Sequence, residues 1–149
     1  MIPRFGEIPV QQRRYTLRPG AYAVLPRDGK LLLTAQMTPE AEVQLPGGGI
    51  DPGESAIVAL HREVREETGW HIANPRRLGA FRRFVFMPEY DLWAEKLCSI
   101  YVAWPVRQVG EIMEDDHIAF WSQPQEALEL LENEGDAWWL RRYLSAYLP

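Results

Sequence analysis

The segment spanning residues 48–70, GGIDPGESAIVALHREVREETGW, constrains the fold of this chain more than any other stretch. It passes from glycines and a Pro-Gly turn into a region of helical periodicity. The apolar residues that recur there at three- and four-residue spacing are Ile57, Leu60 and Val64. This spacing predicts an amphipathic helix whose apolar stripe is core. Ser55 is placed to cap its start, and Gly69 is placed to end it.

Three carboxylates share one side of this helix. Glu63, Glu66 and Glu67 follow the i, i+3, i+4 spacing, beside the apolar stripe. Like charges at this spacing cost a helix about 0.2–0.5 kcal/mol per pair, so helix stability does not explain them. Magnesium prefers oxygen ligands and keeps waters and substrate phosphates in its shell, which would reverse that cost. The pattern alone leaves two interpretations: a metal–phosphate site, or a solvated acidic face with Arg62 and Arg65 as partners.

The residues around the carboxylates favour the first interpretation. In chain order they are Gly48, Glu54, Arg62-Glu63, Val64, Glu66-Glu67, Gly69 and Trp70. This arrangement resembles the Nudix box, G-x5-E-x7-R-E-U-x-E-E-x-G-U with U a bulky apolar residue, at every defined position. The pattern is long, gapped and chemically mixed, which makes it specific, although it covers only this segment of the chain.

The resemblance implies an α+β fold, an α/β/α sandwich around a mixed β-sheet, as a single domain over residues 1–149. It also implies a hydrolase that cleaves the pyrophosphate linkage of a nucleoside diphosphate joined to a moiety X, or of a (d)NTP. The implied cofactor is Mg²⁺ or Mn²⁺, because metals neutralise the phosphate oxygens and orient a bound water. The alternative is a catalytically silent Nudix-fold module that senses a nucleotide. The intact box carboxylates favour the enzyme.

The resemblance also assigns roles to residues. The implied metal ligands are the Gly48 carbonyl, Glu63, Glu66 and Glu67, and the implied catalytic residues are Glu63, Glu67 and Arg62. Glu54 and Gly69 are structural members of the box. Family members differ in where the base lies, so either Glu63 or an acid beyond the box is expected to fill that role. The acidic loop at 110–117 offers Glu114, Asp115 and Asp116 as an extra base or ligand.

Composition limits the classes of partner. The net charge of −5 does not indicate a nucleic-acid surface, which needs clustered Lys and Arg. Cys98 is the only cysteine, so we expect no intramolecular disulfide, no thiolate metal cluster and a cytoplasmic location. We expect no secretory signal and no membrane span, because no apolar run has the required length. The expected partner is a small-molecule nucleotide, and a homodimer through the aromatic C-terminal helix is an additional hypothesis.

The flanking sequence predicts strands on both sides of the helix. Residues 1–18 read as a loose arm with a short strand at 14–17. An Asp28-Gly29 hairpin joins strands at 21–25 and 30–34, and 43–45 leads into the glycines. Strands at 78–87 and 96–106 are expected to pair as antiparallel neighbours, with Pro105 marking a strand end or an edge. A strand at 118–121 precedes two helices, one capped by Ser122 and reaching 131, the other capped by Asp136 and spanning 137–148.

The remaining candidate residues have simpler interpretations. His61, His71 and His117 lack metal-ligand spacing and are predicted to be surface or loop residues. Cys98 is predicted to be a small core residue. Trp138 and Trp139 are assigned to packing or a dimer contact. The aromatic residues within 81–90 and Trp93 are candidates for a nucleobase platform, with a core role as the alternative.

Overall fold

The computed structural model describes residues 1–147 and is built around one long β-hairpin. The strands are β1 (Arg4–Gly6), β2 (Thr16–Val24), β3 (Pro26–Arg27), β4 (Lys30–Gln36), β5 (Glu42–Gln44), β6 (Gly47–Gly49), β7 (Trp70–Met87), β8 (Leu92–Gln108) and β9 (His117–Ser122). The helices are α1 (Ala56–Thr68), α2 (Pro124–Leu130) and α3 (Glu134–Tyr147). A 3₁₀ turn, Pro88–Tyr90, connects β7 to β8. Within residues 1–147, no helix is long and apolar enough to cross a membrane.

The strands form two sheets. The larger has the order β1-β7-β8-β2-β6, and β4 is the centre of the smaller, where it pairs with β3, β5 and β9. The larger sheet is mixed, because β1–β7 and β2–β8 are parallel while β7–β8 and β2–β6 are antiparallel. One core cluster packs α3 residues against Phe81, and a second packs α1 residues against β2. The predicted α+β sandwich around a mixed sheet is confirmed.

Helix α1 is formed and ended as its sequence predicts. The Ser55 hydroxyl oxygen accepts a hydrogen bond from the backbone N–H of Val58 at 3.1 Å. Gly69 ends the helix in the left-handed region at φ 76°. Leu60 and Val64 are fully buried, whereas Ile57 is 38% exposed, so the prediction that Ile57 is core was wrong. The buried stripe is therefore narrower than the apolar pattern.

The strand predictions hold with longer boundaries. Asp28 and Gly29 both have positive φ, 51° and 77°, as a two-residue hairpin turn requires. The predicted strands at 78–87 and 96–106 pair antiparallel, within β7 and β8. Strand β8 continues past Pro105, so a strand end there was wrong. Pairing between β2 and β8 stops at Val102, so Pro105 leaves no ladder bond to β2 unmade.

Two predictions for the N-terminal region and one for the start of α2 are corrected. Residues Arg4–Gly6 pair with β7, so this part of the predicted loose arm is a strand. The strand predicted at 14–17 is the start of β2, which begins at Thr16. Ser122 does not cap α2, since it belongs to β9 and the cap position is Gln123 without a side-chain bond.

Helix α3 begins three residues before the predicted start. The Asn133 side-chain oxygen accepts from the N–H groups of Gly135 and Asp136, at 2.9 and 3.3 Å, so Asn133 is the cap. Asp136, predicted as the cap, lies in the first turn and is buried. Its carboxylate accepts a bond from the N–H of Leu45 at 3.2 Å, which ties α3 to the segment before β6. Leu148, predicted on the same helix face, lies outside the described residues.

The burial of Leu60 predicts a large loss of stability on truncation. Leu60→Ala should lower the free energy of unfolding by about 2–5 kcal/mol, because it leaves a cavity beneath α1. Val58→Ala, on the exposed side of the same helix, is the matched control and should change it by less than about 1 kcal/mol. Urea denaturation measures both. Equal losses in the two variants would contradict the packing of α1.

Asp136 predicts a pH-dependent stability. Burial raises its pKa to about 7, above its ordinary value near 3.9 in the unfolded chain. Between those values the folded state binds the extra proton, so the free energy of unfolding falls as the pH rises from about 4 to about 7. Asp136→Asn keeps the acceptor and cannot titrate. The wild type should therefore lose a few kcal/mol of stability relative to the variant over this range, as the pKa shift of Asp136 requires. Parallel stability curves in urea titrations at pH 5 and pH 8 would contradict this assignment.

Candidate active site

The site lies where α1 packs against the glycine strand β6. A Cβ atom at Gly48 would overlap the carboxylate of Glu63, and one at Gly47 would overlap the backbone of Ala21. Gly47 also has φ 147°, a conformation that disfavours residues with side chains. The glycines therefore allow the carboxylates of α1 to approach the strand backbone.

Glu67 is the most buried of the three carboxylates, at 5% exposure. One oxygen accepts from the N–H of Gly47 at 3.1 Å, and the other lies 3.2 Å from Nε2 of His117. Burial raises the pKa of Glu67, and the bonds from His117 and Gly47 oppose that rise. The same contact raises the pKa of His117. The arrangement fixes the Glu67 carboxylate in one orientation.

Glu63 carries the strongest electrostatic conflict in the cluster. Burial raises its pKa to about 7, the hydrogen bond from Arg62 opposes the rise, and the charges of Glu67 and Glu66 add to it. Arg62 bonds both Glu63 and Glu66 through the same nitrogen, so these two carboxylates lie close together. Crowded carboxylates of this kind favour the binding of a cation or a proton.

Arg62 links the carboxylates to the glycine loop. Its guanidinium bonds both oxygens of Glu54, at 2.8 and 2.9 Å, and the carbonyl of Gly49 at 3.0 Å. It also donates to Glu63 at 2.9 Å and to Glu66 at 3.3 Å. The bond from Arg62 lowers the pKa of Glu54 to about 2, and the pKa of Arg62 is raised in turn. These contacts are the kind that a structural role for Glu54 and Arg62 requires, and that role stays a prediction.

The donor set fits a hard divalent cation, because it consists of carboxylate oxygens held close enough to repel one another. Within residues 1–147, however, no group of three or more His, Cys, Asp and Glu side chains is already arranged to hold a metal ion. Arg62 occupies oxygens of Glu63 and Glu66, and His117 faces Glu67. Metal binding therefore requires these contacts to rearrange.

Gly48 is placed differently from the side-chain ligands. It lies opposite Ala21 in the β2–β6 ladder, and the Ala23–Pro46 backbone bond sets an alternation that directs both backbone groups of Gly48 toward Ala21. A carbonyl has a second lone pair. The role of the Gly48 carbonyl as a metal ligand stays a prediction.

The acidic loop contributes less than predicted. The Asp116 carboxylate bonds the hydroxyl and the N–H of Thr38, at 2.6 and 3.2 Å, and so points to another loop. Asp115 is exposed. Glu114 lies closer to the site, since its N–H bonds the Glu66 carbonyl at 3.3 Å and its charge raises the pKa of Glu67. A base role for any of the three stays a prediction.

His117 is the site residue that sequence reasoning missed. Its side chain is 11% exposed and faces Glu67, so the prediction of a surface or loop histidine was wrong for it. Its Nδ1 atom is buried without a hydrogen-bond partner among the described residues. The one available signal was its position, at the start of a strand that directly follows the acidic loop.

A cavity of about 630 Å³ has Tyr22, Arg83, Lys96 and Asp136 among its lining residues, and the three carboxylates of α1 are not among them. Burial raises the pKa of Tyr22 well above its ordinary value, and the charges of Asp136, Glu67 and Glu63 raise it further. Tyr22 lines the cavity and is the register partner of Gly47, whose N–H bonds Glu67, so Tyr22 connects the cavity wall to the carboxylate site.

The aromatic candidates for a nucleobase platform lie in different environments, and the platform role stays a prediction for those outside the core. Phe86 and Tyr90 line the cavity, whereas Phe81 is fully buried in the core, so a platform role for Phe81 was wrong. Trp93 packs against Phe86 and beneath the guanidinium of Arg13.

Cys98 and the C-terminal tryptophans follow their simpler predictions. Cys98 is buried, and burial raises its pKa to about 12, which keeps it a neutral thiol. Trp139 packs over Gly79 and donates to the Ala80 carbonyl at 3.2 Å. Cys98 lies in the core and Trp139 packs against it, whereas Trp138 is half-buried and contacts Phe5.

The chain is similar to known proteins over most of its length. The family model of the NUDIX domain matches residues 15–144. The CTP pyrophosphohydrolase of Escherichia coli is 31% identical over 112 residues, 72% of this chain and 76% of that protein. The crystal structure of a mutator MutT protein from Bacillus halodurans superposes with a TM-score of 0.66 at 25% identity, covering 85% of this chain and 82% of that one.

A further relative matches over a shorter stretch. A Bacillus subtilis protein named "Putative 8-oxo-dGTP diphosphatase" is 35% identical over 74 residues, which is 50% of this chain and 50% of that protein. The chain therefore matches only half the length of this relative.

The two hydrogen bonds from Arg62 to Glu54 predict how the pKa of Glu54 responds to mutation. Arg62→Ala should raise the pKa of Glu54 from about 2 toward its ordinary value near 4.3, because both hydrogen bonds are lost. A carboxyl-detected NMR titration measures this directly. Arg65→Ala, on the same helix, is the control and should leave Glu54 near 2. Because the folded pKa is depressed, the associated stability is present above about pH 4 and is lost as the pH falls toward 2. A Glu54 pKa that stays low without Arg62 would contradict the assignment of the low pKa to these hydrogen bonds.

Proposed function

Because the chain belongs to the Nudix family, we propose that it hydrolyses the pyrophosphate linkage of a nucleoside diphosphate derivative, NDP-X, or of a (d)NTP. The observation that carries this proposal is the crowding of three buried or half-buried carboxylates against a glycine strand. A protein core without a ligand gains nothing from such crowding, since each carboxylate disfavours ionisation of the others. A pyrophosphate with its divalent cations would balance this charge.

The proposed metal ligands are Glu63, Glu66 and Glu67, with Mg²⁺ or Mn²⁺ as the ion. Nudix proteins generally use divalent metals, and carboxylate oxygens suit either ion. Bound metal would neutralise phosphate oxygens and acidify a water for attack on phosphorus. The Gly48 carbonyl, beside Glu63, is a further proposed ligand.

The side chains around the ligands have distinct proposed tasks. Arg62 holds Glu63 and Glu66 against the loop, so it positions the carboxylates. His117 and Gly47 orient Glu67 from two sides. Glu63 is the proposed acceptor for the water proton, because its carboxylate lies against the Gly48 backbone where the phosphates are proposed to bind. Glu114 is the alternative base, by its proximity to Glu67.

The relatives support the (d)NTP arm of the substrate proposal. The name of the Escherichia coli relative refers to CTP, and that of the Bacillus subtilis relative refers to 8-oxo-dGTP. Both names describe the hydrolysis of phosphoric anhydrides. The cavity beside Tyr22 has room for the nucleoside part of such a molecule.

Two further proposals concern the oligomeric state of the protein and its location in the cell. We propose a homodimer through the outer face of α3, where Trp138, Arg141 and Arg142 line a shallow groove. We propose a cytoplasmic location because the lone, neutral Cys98 needs no oxidising compartment.

Removal of one metal ligand tests the proposed reaction. Glu67→Gln should keep the fold and lower magnesium-dependent turnover by at least about 100-fold, because the oxygen lost is both a ligand and a charge. The measurement is product chromatography over (d)NTPs, ADP-ribose, nucleotide sugars and dinucleoside polyphosphates, with and without a chelator. Glu129→Gln, an exposed residue of α2, is the control. Full activity in Glu67→Gln would contradict the site, and saturable binding without turnover in wild type would favour the sensing module.

A further inference from the structure

Three cationic residues lie side by side on the sheet wall of the cavity. Arg18 of β2 is the register partner of Lys96 in β8, and Lys96 is the partner of Arg83 in β7. Register partners project from the same face of a sheet, so the three side chains share one face. We call Arg18, Lys96 and Arg83 the cationic row. Lys96 and Arg83 line the cavity, and the Arg18 guanidinium lies 4.6 Å from the ring centre of Tyr90, which also lines it.

No member of the cationic row forms a direct ion pair with the described part of the chain. Within residues 1–147, none of the three has a carboxylate oxygen within 4.0 Å, and none donates a hydrogen bond from its side chain. Arg82 provides the contrast: it is the next residue along β7, projects from the opposite face and pairs with Glu95 at 3.2 Å. Like charges placed directly opposite one another destabilise a sheet. The row is thus a local cost in stability that a bound anion would remove.

Acidic side chains line other walls of the cavity. The acids among the lining residues are Glu40, Glu42, Glu89, Glu132 and Asp136. They come from the loop before β5, from β5, from the β7–β8 turn, from the α2–α3 connection and from the start of α3, not from the strands that carry the row. Asp136 feels the charges of Lys96 and Arg83, but it bonds Leu45 instead.

The row lies at a distance from the carboxylates that suits a nucleotide. Gly47, whose N–H bonds Glu67, is the register partner of Tyr22, and Tyr22 lies four residues from Arg18 along β2, about 13 Å away and on the same face. Between them the ring of Tyr22 covers Gly20, whereas Cys98, the register partner of Gly20, is small and lines the cavity. A ligand whose pyrophosphate meets the carboxylates can therefore reach the row with its far end.

We propose that the cationic row binds a phosphate group of the substrate that is remote from the scissile pyrophosphate. The preferred substrates are then nucleotides that carry an additional phosphate ester. Arg83 and Arg18 offer planar forks of N–H donors and Lys96 offers a compact charge, a combination suited to phosphate oxygens. A neutral base or sugar would leave these charges unmatched. This inference rests on the proposed function of the carboxylate site.

The remote phosphate has two chemical sources, which paired substrates distinguish. NADPH and NADH differ by one 2′-phosphate and represent small nucleotides. A 5′-triphosphorylated dinucleotide and the matching nucleoside triphosphate differ by a phosphodiester and represent the end of an RNA. For the relevant pair, kcat/KM should favour the phosphate-bearing member by at least about tenfold, through KM, and added salt should reduce that preference.

Variants of the row test whether it is the cause. Lys96→Gln and Arg83→Gln should each bring the ratio of the two kcat/KM values close to one, whereas the control Arg82→Gln should keep it. Lys96→Gln should not lower the melting temperature, because it relieves repulsion; a purely structural lysine would show a decrease. Ratios near one for both pairs in wild type, or a ratio that survives both row substitutions, would overturn the proposal.

A failure of the reaction itself gives a different result. If wild type hydrolyses no member of either pair, calorimetric titration with adenosine 3′,5′-bisphosphate and with AMP measures binding alone. A preference of at least about tenfold for the bisphosphate, lost in Lys96→Gln, would keep the row as a phosphate site and remove the hydrolase. Equal affinities for the two nucleotides would overturn the proposal that the cationic row binds phosphate.

Discussion

The guanidinium of Arg62 is the contact on which the site depends most. It joins Glu54, Glu63, Glu66 and the carbonyl of Gly49, and so fixes the start of the loop to the middle of α1. Only an always-charged, planar donor can satisfy so many oxygens at once. Without it the carboxylates would repel one another and the loop would lose its anchor. Arg62 also occupies oxygens of Glu63 and Glu66 that a metal would need. Metal binding is therefore linked to the release of these oxygens by Arg62.

Local features of the site could be predicted from the sequence. The capping oxygen of Ser55, the left-handed Gly69 and the spacing of the carboxylates each depend on neighbours within a few residues. The two-residue turn at Asp28 and Gly29 is equally local. The box resemblance added the helix and its loop, and the α+β sandwich followed from the order of the elements.

Features that depend on distant pairing could not be predicted. His117 meets Glu67 only because the start of β9 lies beside the end of α1, and a lone histidine carries no sign of that. Asn133 and Asp136 are both good capping residues, so only packing decides which one caps and which one is buried. The cationic row needs the register of three strands, which side-chain type does not reveal.

The most direct test of the account is a crystal structure with Mn²⁺ and a non-hydrolysable nucleotide analogue, because anomalous scattering locates the metal without assumptions. The account predicts manganese within coordination distance of the carboxylate oxygens of Glu66 and Glu67, with Arg62 or His117 displaced from at least one of them. It also predicts the phosphates of the analogue beside β6. Nucleotide bound in the cavity with manganese elsewhere, or with no manganese at α1, would contradict the metal-dependent mechanism.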